Sequence, residues 1–121
     1  MLKKVIKGFG YAFEGIWTCL KSERNMKIHL VAALVVIILG AIFKITRTEW
    51  LVCIVFIALV PAGELFNTAI EAVVDMTSPD KQPLAKLAKD TAAGGVLVLA
   101  IGAAAAGAVI FVPYMLKIVG L

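Results

Sequence analysis

The chain has 121 residues, of which 62% are hydrophobic, and its mean hydropathy is +1.01. Soluble proteins carry only about 45–50% apolar residues, so the composition excludes an ordinary water-soluble domain and predicts one membrane domain over residues 1–121. The net charge of +4 comes from basic residues that flank apolar segments. This placement matches attraction to anionic lipids and argues against a nucleic-acid partner.

The first predicted element is an amphipathic helix over residues 1–22. Its apolar residues recur at helical spacing: Leu2, Val5, Ile6, Phe9, Phe13, Ile16, Trp17 and Leu20. Lysines occupy the opposite side, which is typical of a helix that lies in the membrane interface. Periodicity alone leaves open whether this helix only anchors the chain or takes part in function.

Three segments that follow are long and apolar enough to cross a membrane, at residues 27–45, 49–75 and 84–116. A helix needs about 20 residues to cross roughly 30 Å of hydrocarbon. The third segment includes an extension on the cytoplasmic side, and its Ala and Gly residues at small-xxx-small spacing predict close helix packing. The sequence therefore predicts an all-α integral membrane fold with three transmembrane helices and one surface helix.

The basic residues indicate the orientation of these spans. Nine are predicted on one side of the membrane: Lys3, Lys4, Lys7, Lys21, Arg24, Lys27, Lys81, Lys86 and Lys89. Three are predicted on the other: Lys44, Arg47 and Lys117. By the positive-inside rule we expect the N-terminus and the loop at 76–90 to be cytoplasmic and the C-terminus to lie outside.

The second span ends in a stripe of polar residues, Glu64, Asn67, Glu71 and Asp75. These residues stand at i, i+3, i+7 and i+11, so a helix brings them to one face. A carboxylate at membrane depth costs on the order of 3 kcal/mol on insertion scales, so partners or a function must offset it. We expect the chemistry of the protein on this face, open towards the cytoplasm.

Further polar residues are predicted at the same depth from other parts of the chain. Glu23 precedes the first span and could share a cation with the stripe, while Lys86, Lys89 and Asp90 stand at the entrance of the third span. His29 is expected to be a hydrogen-bonded interfacial histidine rather than a metal ligand.

Two kinds of function use such a set of acidic and basic residues. The first is phosphoryl transfer. In that reaction carboxylates can hold Mg²⁺ on the phosphate oxygens, a lysine can offset the developing charge, and a further carboxylate can accept the proton of the hydroxyl group. Acids within a helix bundle also build ion or proton pathways. No GxxxxGK[ST] loop occurs in the sequence, so a nucleotide would need a different kind of site. Composition and spacing favour neither function over the other.

Three strings, ERNMKIHLVAA, ELFNTAIEAVVD and PLAKLAKDTAAGGV, stand in this order along the chain. With these separations the sequence resembles the prokaryotic diacylglycerol kinase family, and within it the Gram-positive branch of undecaprenol kinases. The resemblance implies a homotrimeric lipid kinase of the bacterial cytoplasmic membrane that transfers the γ-phosphate of ATP to a lipid alcohol. We expect undecaprenol as the acceptor, with diacylglycerol as the alternative.

The resemblance also implies residue roles. Glu64 would be the general base, Asn67 would orient the lipid hydroxyl or the base, and Glu23 and Glu71 would bind Mg²⁺ and ATP. The further ATP-binding residues would be Lys4, Tyr11, Asp75, Lys89 and Asp90. Gln82 departs from the histidine common at its position, so no nucleotide contact is assigned to it. Pro61 and Gly63 replace ordinary helix formers before Glu64, and a kink is expected there.

Overall fold

A computed structural model describes residues 1–80 and 82–121, which form four helices and no strand. The helices are α1 (Leu2–Ser22), α2 (Arg24–Phe43), α3 (Arg47–Thr77) and α4 (Pro83–Ile118). The last three are long and apolar enough to cross a membrane. The predicted all-α fold with three membrane helices is thereby confirmed, with helix bounds that differ from the predicted ones by up to three residues. Lys81, one of the predicted cytoplasmic lysines, lies outside the described residues.

Helix α1 is attached to the rest of the chain at its C-terminal end. Cys19 is its one buried residue, whereas the apolar side chains along most of its length are exposed. Glu23 has an extended backbone and separates α1 from α2, so the chain turns there without a longer loop. An exposed apolar face on a helix of this kind is suited to burial in the membrane interface.

The connection between α2 and α3 is short and well capped. Lys44 ends α2 in the left-handed conformation, at a φ of 52°. Thr46 and Glu49 then form a capping box, in which each side chain accepts a hydrogen bond from the backbone N–H of the other, at 3.2 Å and 2.9 Å. The hydroxyl of Tyr114 also donates to Glu49, at 2.5 Å, and joins the far end of α4 to the start of α3.

An apolar cluster lies beside this capped connection. Ile45, Cys53, Ile110 and Phe111 are its buried members, and the ring of Phe43 stacks on Tyr114 with centroids 5.6 Å apart. Burial of side chains of this size contributes about 1.5–3 kcal/mol each in water, although part of this gain is lost where lipid replaces water. The predicted outer end of the bundle is therefore held together by both packing and hydrogen bonds.

Gly63 allows α3 and α4 to approach closely, one residue before Glu64. A Cβ atom on Gly63 would lie 2.6 Å from Cδ1 of Leu99, well inside van der Waals contact. Helix α3 runs without interruption through Pro61. Glycine at this position is thus explained by packing against α4.

The small residues of α4, expected to pack closely against other helices, have two different environments within this chain. A Cβ on Gly102 would lie 3.2 Å from the ring of Phe56, so packing is close there. Ala103, Ala106 and Gly107 instead line an apolar cavity of about 440 Å³ between α2, α3 and α4. Helix α2 makes few contacts with α4, and the small side chains leave the space between them unfilled.

We predict that Gly63→Ala lowers the stability of the bundle by about 1–3 kcal/mol, because the added methyl group forces Leu99 or α4 to move. The apparent midpoint of thermal unfolding in detergent micelles, followed by circular dichroism, measures this effect. Combining Gly63→Ala with Leu99→Ala should cost less than the sum of the two single changes. Gly8→Ala is the matched control, since a Cβ there meets no atom within 4 Å. An equal loss in the control would contradict the packing explanation.

Candidate active site

The polar stripe of α3 runs from a buried end to an exposed end. Glu64 is 1% exposed and Asn67 is 7% exposed, Glu71 is half-buried, and Asp75 is exposed. At 1.5 Å per residue, Glu64 lies about 26 Å and Asp75 about 42 Å from Arg47 along the axis. The hydrocarbon core is only about 30 Å thick. The stripe therefore extends from the edge of the hydrocarbon core into the aqueous side.

The two buried members of the stripe each keep an oxygen without a partner. Within residues 1–80 and 82–121, neither Oε2 of Glu64 nor Oδ1 of Asn67 has a hydrogen-bond donor. The amide nitrogen of Asn67 donates to Oε1 of Glu71 at 3.2 Å, and this contact directs the Asn67 oxygen away from Glu71. A buried acceptor without a donor costs about 1–3 kcal/mol, so a ligand that donates a hydrogen bond would be favoured here.

Glu64 also lies near groups from other helices. His29 of α2 brings its Nε2 atom to 3.7 Å from Oε2 of Glu64. The carboxylates of Glu23 and Glu71 are close enough to repel the charge of Glu64. The structure thus brings Glu23 and Glu71, which the sequence predicted at one depth, near the deeper Glu64.

Thr68 connects the end of α1 to the stripe. Its hydroxyl donates to the backbone carbonyl of Glu64 at 2.9 Å, and its oxygen lies 3.5 Å from the sulfur of Cys19. This contact fixes the end of α1 against α3 and, through the short turn, fixes the position of Glu23. The sequence did not indicate that Thr68 and Cys19 join α1 to α3, because neither residue belongs to a recognisable pattern on its own helix.

The lysines at the start of α4 each form an ion pair. Lys89 pairs with Asp75 across the gap between α4 and α3. Lys86 pairs with Asp90 on its own helix at 2.5 Å, and both side chains are exposed. Exposed pairs of this kind contribute about 0–1 kcal/mol, so a phosphate can displace either carboxylate at little cost.

The predicted metal ligands do not form a complete cage of protein groups. Among residues 1–80 and 82–121, no three His, Cys, Asp or Glu side chains converge as a metal site. Mg²⁺ commonly takes one or two carboxylates together with water and substrate phosphates. Two carboxylates, Glu23 and Glu71, have the chemistry that such a shared site requires.

Lys4 and Tyr11 stand apart from the acids. Both are exposed on α1, away from the end of that helix that contacts α3. In this conformation they are not brought together with Glu64, Glu71 or Asp75, and their predicted contact with a nucleotide stays a prediction.

The chain matches the family model described as prokaryotic diacylglycerol kinase over residues 10–111. This match includes α2, α3 and most of α1 and α4, with every acid of the cluster. The chain belongs to this family. It is therefore a lipid kinase of the membrane, and the cluster described above is its candidate active site. Family membership decides against the ion or proton pathway that composition left open.

Individual relatives in this kinase family agree with the match. The chain is 40% identical over 112 residues to the undecaprenol kinase of Bacillus subtilis, covering 93% of this chain and 91% of that protein. It is 35% identical over 115 residues to the diacylglycerol kinase of Synechocystis, covering 94% of this chain and 66% of that protein. Identity to the diacylglycerol kinase of Escherichia coli K12 is 28% over 95 residues, 78% of each protein.

We predict that a disulfide bond forms readily between Cys19 and a thiol placed by Thr68→Cys in this kinase, because the two side chains already touch. A Cys53→Ser background removes the other thiol. Mild oxidation should consume both thiols within one chain, as measured by thiol titration and mass spectrometry. Ala69→Cys, on the neighbouring exposed position, is the matched control and should react slowly. Equal rates, or a cross-link between two chains, would contradict the observed attachment of α1.

Proposed function

We propose that this kinase transfers the γ-phosphate of ATP to the hydroxyl group of undecaprenol and so produces undecaprenyl phosphate. The observation that carries the proposal is the buried Glu64 carboxylate, which has an oxygen without a donor at the edge of the hydrocarbon core. A lipid alcohol offers an O–H donor at this depth. The name of the Bacillus subtilis relative supports a polyprenol acceptor.

Glu64 is the general base of the proposed reaction. Its carboxylate accepts the proton of the lipid hydroxyl, and the lipid oxygen forms a bond to the γ-phosphorus as the bond to the β-phosphate bridging oxygen breaks. The products are the phosphorylated lipid, ADP and a proton carried by Glu64, which then passes to water. Asn67, buried one helical turn after Glu64, would orient the lipid hydroxyl or the base.

The nucleotide is proposed to bind at the exposed end of the stripe. Glu23 and Glu71 would hold Mg²⁺, which when bound neutralises charge on the phosphate oxygens. Lys89 would exchange its partner Asp75 for a phosphate, and Asp75 and Asp90 would help to position the nucleotide. Lys4 and Tyr11 would contact the nucleotide, which requires that α1 turn about its attached end.

We include in the proposal that three copies assemble in the bacterial cytoplasmic membrane, with the active site facing the cytoplasm. The distribution of lysines supports this orientation by the positive-inside rule. A Cβ on Gly94 or Gly95 would meet no atom within 4 Å of it in this chain. Small residues without neighbours in one copy suit close packing against another.

We predict different effects of two neighbouring carboxylates on catalysis. Glu64→Gln should lower kcat by at least 10²-fold with nucleotide affinity nearly unchanged, because the amide cannot accept the hydroxyl proton. Glu71→Gln should weaken ATP binding as well as kcat, and should raise the Mg²⁺ concentration required for half-maximal activity. Initial rates across ATP and Mg²⁺ titrations, with equilibrium binding of a non-hydrolysable analogue, measure both effects. Equal effects of the two changes on binding would count against the assigned roles.

We also predict the choice of lipid acceptor. Wild-type kinase in mixed micelles with labelled ATP should label undecaprenol faster than diacylglycerol at equal mole fraction, and Glu64→Gln should label neither. Preference for diacylglycerol would keep the mechanism and reject the polyprenol as substrate. Transfer to neither lipid by the wild type would overturn the proposed function.

A further inference from the structure

Within the described residues, Glu64 has one neighbour that can carry positive charge. The groups close enough to act on its charge are His29, Glu23, Glu71 and the amide of Asn67, and among them only the histidine can be a cation. His29 comes from α2, a helix different from that of the base, and its side chain is 17% exposed against 1% for Glu64. The pair is therefore nearly enclosed by protein.

The distance between these groups is short but not yet that of a hydrogen bond. Nε2 of His29 lies 3.7 Å from Oε2 of Glu64, whereas an N–H···O bond spans about 2.7–3.2 Å. A movement of less than about 1 Å would close this gap, which is within the reach of a side-chain adjustment. The oxygen concerned is the one that lacks any other donor.

The surroundings of His29 make this contact specific. The same side chain lines the apolar cavity between α2, α3 and α4, so it has apolar groups on one side and the carboxylate on the other. In residues 1–80 and 82–121 its nitrogens form no hydrogen bond with any other group.

We propose that His29 is a positioning residue for the base, a role that rests on the proposed function of Glu64. Its Nε2–H donates to Oε2 of Glu64, holds the carboxylate in one orientation and offsets the repulsion from Glu23 and Glu71. Because a carboxylate oxygen can accept two hydrogen bonds, Oε2 can still accept the hydroxyl of the lipid. The proton on Nε2 stays in place throughout the reaction, and the proton of the lipid alcohol goes to Glu64.

Three substitutions separate this role from a structural one. In His29→Gln the amide N–H can take the place of Nε2–H, and in His29→Asn the shorter amide falls short of Oε2. His29→Phe keeps a ring of similar size without any N–H. We expect kcat to fall about 10–100-fold in the Asn and Phe variants, as for other residues that orient a functional group, and to stay within about threefold of wild type in the Gln variant. The KM for ATP should stay within about twofold in all three.

The comparison of the Gln and Asn variants keeps the test valid even if the Phe variant fails to fold, because both carry the same amide group. Equal activity of these two variants, or a loss of ATP affinity in step with kcat, would overturn the role of His29. Glu64→Gln is measured in the same series. If the Glu64→Gln variant stays active, Glu64 is not the base, and the proposed role of His29 is rejected as well. If it is inactive while His29→Asn has full activity, only the role of His29 is rejected.

Discussion

A carboxylate buried at the edge of the membrane is the constraint on which the rest of this structure depends. Glu64 is almost completely enclosed, and one of its oxygens has no donor among the described residues. An acid in this position is expensive to retain, so the surrounding helices must offset its cost by packing and by nearby polar groups. Gly63 brings α4 against α3 at this level, and Thr68 bonds the backbone carbonyl of the same residue.

The two ends of the bundle are built differently. The end with Glu49 and Tyr114 is closed by a capping box, a further hydrogen bond and an apolar cluster. The end with Asp75 and Lys89 has exposed ion pairs, and Cys19 is the one buried residue of α1 there. Exposed polar contacts open at low free energy, whereas packed clusters do not. We therefore expect any rearrangement on substrate binding at the end that carries the acids.

Much of this architecture could be predicted from the sequence, because the patterns involved are local. The apolar runs define the three membrane helices, and the spacing of Glu64, Asn67, Glu71 and Asp75 defines a single helical face. The depth of Glu23 follows from its place before the first span. Each of these inferences needs only the rise and the turn of a helix.

The contacts between helices could not be predicted in the same way. Helix α2 is apolar on all sides, so its sequence gives no preferred face and does not indicate that His29 turns towards Glu64. The same limit applies to Lys89, whose partner Asp75 is on another helix, whereas the pair of Lys86 with Asp90 follows from their i, i+4 spacing on one helix. The cavity beside Ala103 depends on how far α2 stands from α4, a distance that residue spacing does not encode.

The depth of Glu64 also determines how the two proposed substrates arrive. The nucleotide comes from the aqueous phase, so its supply depends on an ordinary volume concentration. The lipid reaches the carboxylate by diffusion within the plane of the bilayer, and its supply depends on its mole fraction among the other lipids. Diluting the membrane with inert lipid would therefore slow the enzyme at a constant total amount of acceptor. A rate measured in detergent therefore depends on the mole fraction of acceptor in the micelle as well as on the protein.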